Sequence, residues 1–261
     1  MWSGRRVFAV LVPVALGASL LSGAGTYVVR STVPEAGGQR SSGTQPVVAS
    51  HAEAVAVTPK RLLPKVPLST EGSYKFIHRI SKTKPVTWDP CRTVKIYVNP
   101  ANGPSDAVSL VKYGAARLRA TTGIDFRYAG QTKKSQKRAM KGARDGVWVG
   151  FHTESSDRTL AGATVGYAGD DVDGATKADA KYYKGAVVLE SETFKTLRAY
   201  RQTSIARAIV MHEFGHIAGL DHVNDPHQLM YPETTRDQLT YGGGDLRGLA
   251  LLGRGTCRTS V

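Results

Sequence analysis

Apolar Val94, Ile96 and Val98 alternate with Thr93, Lys95 and Tyr97, the period of a strand with one face on a core. Over residues 106–121 the period lengthens. Ala107, Leu110, Val111, Gly114, Ala115 and Leu118 recur at steps of three and four, which predicts an amphipathic helix with Ser105 as its candidate cap. Residues 124–128 read as a short strand, 147–151 as a stronger one and 162–169 as another, and the apolar run 185–189 suits an interior strand. From 203 to 219 the pattern is helical again, with Ile205, Ala208, Ile209, His212 and His216 as an inward stripe and Arg201, Gln202 and Arg207 free to face water. Residues 245–252 predict a short closing helix, after which Gly253 and Gly255 release the chain to Cys257. There are no internal repeats.

The first 84 residues lack this periodicity. Arg5 and Arg6 precede an uncharged run over residues 7–29, with small residues at Ser22 and Ala24, the layout of a secretory signal peptide cut after Ala24. The run also has the length of a membrane span, so a cleaved signal and an uncleaved anchor both stay open, and each exports the remainder of the chain. Residues 30–84, rich in Pro, Ser, Ala, Gly and Val, have little to bury and read as a flexible spacer or pro-segment. The expected catalytic domain is 85–261, secreted or extracellular and monomeric.

The chemistry concentrates in Met211-His212-Glu213-Phe214-Gly215-His216-Ile217-Ala218-Gly219-Leu220-Asp221-His222. Residues four apart on a helix stand one above the other, so His212 and His216 present imidazoles to one point. Gly219 can take a left-handed conformation, stop the helix and let His222 return as a third ligand. Three imidazoles with one open position describe a catalytic zinc site rather than a closed structural one. Glu213, left out of the coordination, is placed to take a proton from a water and pass it to a leaving nitrogen. At this composition the full five-residue pattern arises by chance in roughly one such chain in 60,000.

His212-Glu213-x-x-His216-x-x-Gly219-x-x-His222, followed by Leu229-Met230-Tyr231-Pro232, resembles the metzincin zinc endopeptidases, most closely the matrixin branch. The resemblance implies a Met-turn at Met230 beneath the ligands and a substrate-pocket wall from Tyr231 and Pro232. It also implies an α/β (α+β) fold: a twisted, mixed five-stranded sheet with an active-site helix, a packing helix and a C-terminal helix. An edge strand above the cleft would pair with an extended peptide, and Ala163, Val165 and Tyr167 fall where that strand belongs. The chain departs from the family in having no cysteine before Cys91, so a cysteine-based latency switch is not expected. A second, structural zinc is not expected either, because only His152 lies in the corresponding region.

Charge and the remaining motifs add less. The formal net charge of +14 is weighted to the amino end, with eleven Lys and Arg against three Glu before residue 85 and 24 against 18 acids after it. That excess suits an anionic membrane or cell wall nearby, with general solubility as the plainer reading. No nucleic-acid motif accompanies it. The basic run Lys133, Lys134, Lys137, Arg138, Lys141 and Arg144 reads as a solvated loop before it reads as an anion patch. Cys91 and Cys257, the sole cysteines, bracket the expected domain and predict a disulfide. Asp170, Asp171 and Asp173 bunch in an apparent Gly-rich turn, a calcium candidate or an exposed loop. His227 reads as a surface residue. The function expected is peptide-bond hydrolysis with one zinc, against two alternatives: a wall- or peptide-binding module, and a zinc amidase acting on wall peptides.

Overall fold

A computed structural model describes residues 8–11, 59–69, 71–141, 146–174, 176–233 and 237–258. The alternating segment at Val94 becomes a central strand. In chain order the elements are β1 (Phe8–Leu11), β2 (Lys75–Phe76), β3 (Val94–Asn99), α1 (Ala107–Thr122), β4 (Phe126–Gln131), α2 (Gln136–Met140), β5 (Gly146–His152), β6 (Thr164–Asp173), β7 (Lys181–Glu190), α3 (Ser191–Ala199), α4 (Thr203–Ala218), β8 (Leu220–Asp221) and α5 (Gly243–Leu252).

The main sheet runs β1-β6-β7-β5-β3-β4. From β7 to β4 every pairing is parallel, and β6 joins β7 antiparallel. These are the five strands of the expected mixed sheet. Parallel strands are covered on both faces, which is why β5 and β7 read as continuous apolar runs and not as alternation. One face carries α1 and α4, with Val94, Ile96, Val98, Leu110, Leu118, Ile209 and Phe214 in a single core; the other carries a smaller cluster of Met140, Leu160, Trp148, Tyr167 and Val188.

Several boundaries differ from the sequence reading. The sheet gains a sixth strand: β1, taken from the apolar run assigned to the signal segment, pairs antiparallel with β6, Phe8 opposite Ala168 and Val10 opposite Gly166. The rest of that run lies outside the described residues, among which no helix is long and apolar enough to cross a membrane. Residues 59–69 and 71–84 pack onto the domain, ahead of the boundary expected at 85, because the segment has long-range partners that no local pattern reports. Arg61 donates to the carbonyls of Gly253 at 2.6 Å and Gly123 at 3.0 Å, and β2 pairs with β8.

Ser105 does not cap α1; Asp106 stands at that position without a side-chain cap bond, its carboxylate 3.6 Å from Arg198 Nε. Helix α3, unmarked in the sequence because only Ser191, Phe194 and Leu197 are buried, is started by Glu190, whose side chain accepts from Thr193 N–H at 2.6 Å. The basic run contains the short helix α2 in place of a plain loop. Cys91 is bonded to Cys257, 166 residues on, with 5.4 Å between Cα atoms.

Candidate metal centre

Helix α4 is buried from Ala208 to its end, not along one stripe, because it lies between the sheet and the other helices. Arg207 alone among its later charged groups reaches out, 4.4 Å over the ring of Tyr113. Gly219 ends the helix at φ +117°, its N–H donating to the carbonyls of Gly215 and His216. Any Cβ there would also lie 2.9 Å from Tyr182, so both the turn and the packing require glycine. The chain then enters β8, where Lys75 of β2 pairs with Asp221 at 2.7 Å and Asp221 accepts from the His222 N–H at 2.9 Å. Strand β2 thus steadies the return that carries the third histidine.

The Nε2 atoms of His212, His216 and His222 stand 3.1, 3.1 and 3.2 Å apart. Corners of a tetrahedron with zinc–nitrogen bonds of about 2.0–2.1 Å are separated by roughly 3.3 Å, so the spacing fits zinc. The other ring nitrogens are committed: His212 Nδ1 donates to Leu229 O at 2.6 Å and His216 Nδ1 to Leu220 O at 2.8 Å. Those bonds select the tautomer that leaves Nε2 unprotonated toward the shared point. Burial reinforces this. Desolvation, then the neighbouring imidazole of His222, lowers His212 to about 3, and His216 and His222 are lowered as well.

Glu213 is wholly buried, and neither carboxylate oxygen has a hydrogen-bond partner among the described residues. Burial alone pushes its carboxyl well above the usual range. A pair of orphaned buried oxygens beside three convergent imidazoles suits a site completed by a metal ion and its water. Gly166 of β6 lies directly against this group, since a Cβ there would come within 3.0 Å of Glu213 Oε1. Sequence reasoning marked the strand but not this residue.

In the metal-free chain these shifts oppose each other. Unfolded histidines take up protons near pH 6.5 while the folded ones resist, so stability falls as pH drops below about 6.5. Glu213, raised in the folded state, costs stability as pH climbs above about 4.3. Three depressed histidines outweigh Glu213 and Asp245, itself raised to about 6 by burial, on the acid side. Above pH 6.5 Glu213 acts alone. Thermal unfolding in chelator is therefore expected to show greatest stability near pH 6.5–7, and a profile still rising between pH 7 and 8 would contradict it.

Met230 is buried, and Gly215 of α4 makes room for it: a Cβ at 215 would lie 2.5 Å from the Met230 sulfur. Tyr231 and Pro232 come next, half-buried. A residue the sequence did not reveal holds this turn. Asp245, in the first turn of α5, accepts from the N–H groups of Leu229 at 2.6 Å, Gly242 at 2.9 Å and Met230 at 3.4 Å. An acidic residue in the first turn of a helix preceded by glycines was the sole available signal, and it is shared by many helices.

The strand expected at 162–169 is β6, which runs from Thr164 to Asp173. Ala163 is exposed and precedes β6, Val165 and Tyr167 are buried, and the outer edge is taken by β1 and not left open. The β1 register jumps from Gly166 to Thr164, a bulge at Val165 that sends this side chain into the main core while Tyr167 joins the smaller cluster. Tyr167 donates to Asp157, which also meets His152 Nδ1 at 3.4 Å. The apparent turn at Asp170, Asp171 and Asp173 is the end of β6. Strand geometry sends neighbouring carboxylates to opposite faces, and Asp171 pairs with Lys184 and Asp173 with Arg258, so they do not assemble as a calcium site. Among the described residues, the two groupings with metal-ligand spacing are the three histidines and Asp89-Cys91-Cys257, whose sulfurs are spent in the disulfide. His227 is exposed beside Asp225.

A mixed sheet is backed by a helix that delivers two histidines, with a third from the returning turn, and together they make a site that could hold a metal ion. The matrixin family model matches residues 124–250, a stretch running from the end of α1 through all three histidines to α5, and supports a metzincin protease of matrixin-like type. At family level that is a zinc-dependent metallopeptidase. No curated protein matches the chain.

Proposed function

We propose that the protein is an exported zinc endopeptidase that cleaves peptide bonds in extended substrates. The observation that carries this reading is the orphaned Glu213 carboxylate beside three imidazoles whose outer nitrogens are fixed by backbone carbonyls. His212, His216 and His222 would hold the zinc, which when bound supplies Lewis acidity and makes a water acidic enough to be used near neutral pH. Glu213 accepts the proton of the attacking water and returns it to the leaving amide nitrogen. A dry, buried carboxylate is a strong base once ionised, because its alternative is an unsolvated charge.

An extended substrate would lie along β6 in the place of Phe8–Leu11, pairing with the backbone beside Gly166, close to Glu213. The antiparallel pairing of Phe8–Leu11 along this edge supports the reading. Tyr231 and Pro232 would wall the pocket beyond the cleaved bond. Backbone pairing of this kind also favours an endopeptidase over a small-amide hydrolase, which has no use for a strand-length cleft. Unstructured peptides incubated with the purified chain are expected to be cut internally when zinc is present and left intact after chelation, as read by mass spectrometry. Release of only terminal residues, or hydrolysis of small amides alone, would sink this reading.

A further inference from the structure

Away from the three histidines, a cavity of about 540 Å³ opens between residues 74–87, the start of β7 and the end of α5. Five cations line it, Arg79, Lys82, Lys84, Lys181 and Arg254, and no Asp or Glu does. Phe76, Ile80 and Leu251 supply an apolar wall. The telling member is Lys181, 6% exposed. Its ammonium donates to Thr256 Oγ1 at 3.2 Å and Thr87 Oγ1 at 3.3 Å, and among the described residues no carboxylate lies within ion-pair distance. Two neutral hydroxyls take two of its three N–H groups, and the charge is offset only in part, by Asp89 from beyond ion-pair distance.

The surroundings sharpen this. Desolvation lowers the Lys181 ammonium, and although Asp89 pulls it upward, Lys84 and Arg258 add to the lowering. The turn at 80–84, closed by Ile80 and Ser81 N–H groups on the Lys84 carbonyl, carries Lys82 and Lys84 at the rim. Arg79 stacks 5.0 Å over Phe76 with its Nη1 donating to Lys82 O, and Arg254 is anchored through Nη2 on Val66 O at 3.3 Å. Anchored guanidiniums keep further N–H groups for a ligand.

We propose that this cavity binds a phosphate ester, the phosphate seated on Lys181 between Arg79 and Arg254 and its carbon body against Phe76, Ile80 and Leu251. Several cations around one cavity suit a group with three oxygens and up to two charges better than a single carboxylate, and the apolar wall selects an ester over the free ion. The site is independent of the metal centre and of the peptidase reading.

Titration of the full chain with butyl phosphate and with inorganic phosphate, at constant ionic strength, tests this. Calorimetry is expected to show saturable one-to-one binding, with the ester about tenfold tighter and equal affinity in zinc-loaded and chelated protein. Lys181→Met is expected to weaken binding about tenfold or more. Should that variant not fold, Arg79→Gln with Arg254→Gln is expected to weaken binding similarly, while Lys133→Gln with Lys134→Gln on the distant basic loop leaves it unchanged. Non-saturable binding, equal weakening by the loop pair, or an affinity that depends on zinc would overturn the proposal. Equal affinity for both probes would remove the ester and leave a free-phosphate site.

Discussion

Glu213→Gln is expected to lower peptide turnover by about 10²–10⁴-fold while KM and zinc content stay near wild type. The amide has the same shape as the carboxylate, so packing against Gly166 is preserved, but it cannot accept the proton of the attacking water. Kinetics on a peptide identified by mass spectrometry, with metal content read by atomic absorption, measure the two halves separately. The substitution has a second signature that a mere packing residue would not give. In chelator, wild type loses stability as pH rises above 6.5 because the unfolded chain releases the Glu213 proton while burial makes the folded chain hold it; the Gln variant has no such group. Its melting temperature is therefore expected to exceed that of wild type at pH 8. Turnover within a few-fold of wild type would remove Glu213 from the role of base, and loss of zinc would make it a ligand.

Asp245→Ala is expected to weaken zinc binding about 10- to 100-fold although Asp245 touches no histidine. The connection is a short relay: its carboxylate holds the N–H of Leu229, and the Leu229 carbonyl receives the Nδ1 proton of His212. With the carboxylate gone, Leu229, Met230 and Gly242 lose their acceptor, at a cost of roughly 2–5 kcal/mol in stability. Competition with a chromophoric chelator reads the affinity, and chemical denaturation of the chelated chain reads the stability. Asp245→Asn keeps one acceptor oxygen and is expected to fall between Ala and wild type on both. If Ala destabilises the chain but leaves zinc affinity intact, the relay is only a structural brace.

The two positions differ in how they can be found. Glu213 sits inside a pattern whose spacing follows from helix geometry, so its neighbours in the chain declare it. Asp245 acts on a residue 16 positions earlier, across the junction of α5 with the Met-turn, and no local periodicity encodes that contact. Gly166 is hidden for the same reason. Its requirement comes from the Glu213 side chain on a different element, whereas the strand containing it was readable from its own composition.

What the sequence determined by itself was whatever depends on residues near one another along the chain: the helix that stacks His212 over His216, the glycine that turns it, the strands at 94–99 and 146–152, and the matrixin-like resemblance. The cysteine pair was legible as well, because two residues admit a single intramolecular pairing. Only the tertiary structure decided the remainder. It packed residues 59–84 onto the domain, laid Phe8–Leu11 along β6, turned the three aspartates into a strand end paired with cations, and fixed the imidazoles through distant carbonyls. Each of these is a contact between segments far apart in the chain, whose free energy depends on which surfaces meet after folding and leaves little trace in the spacing of either segment alone.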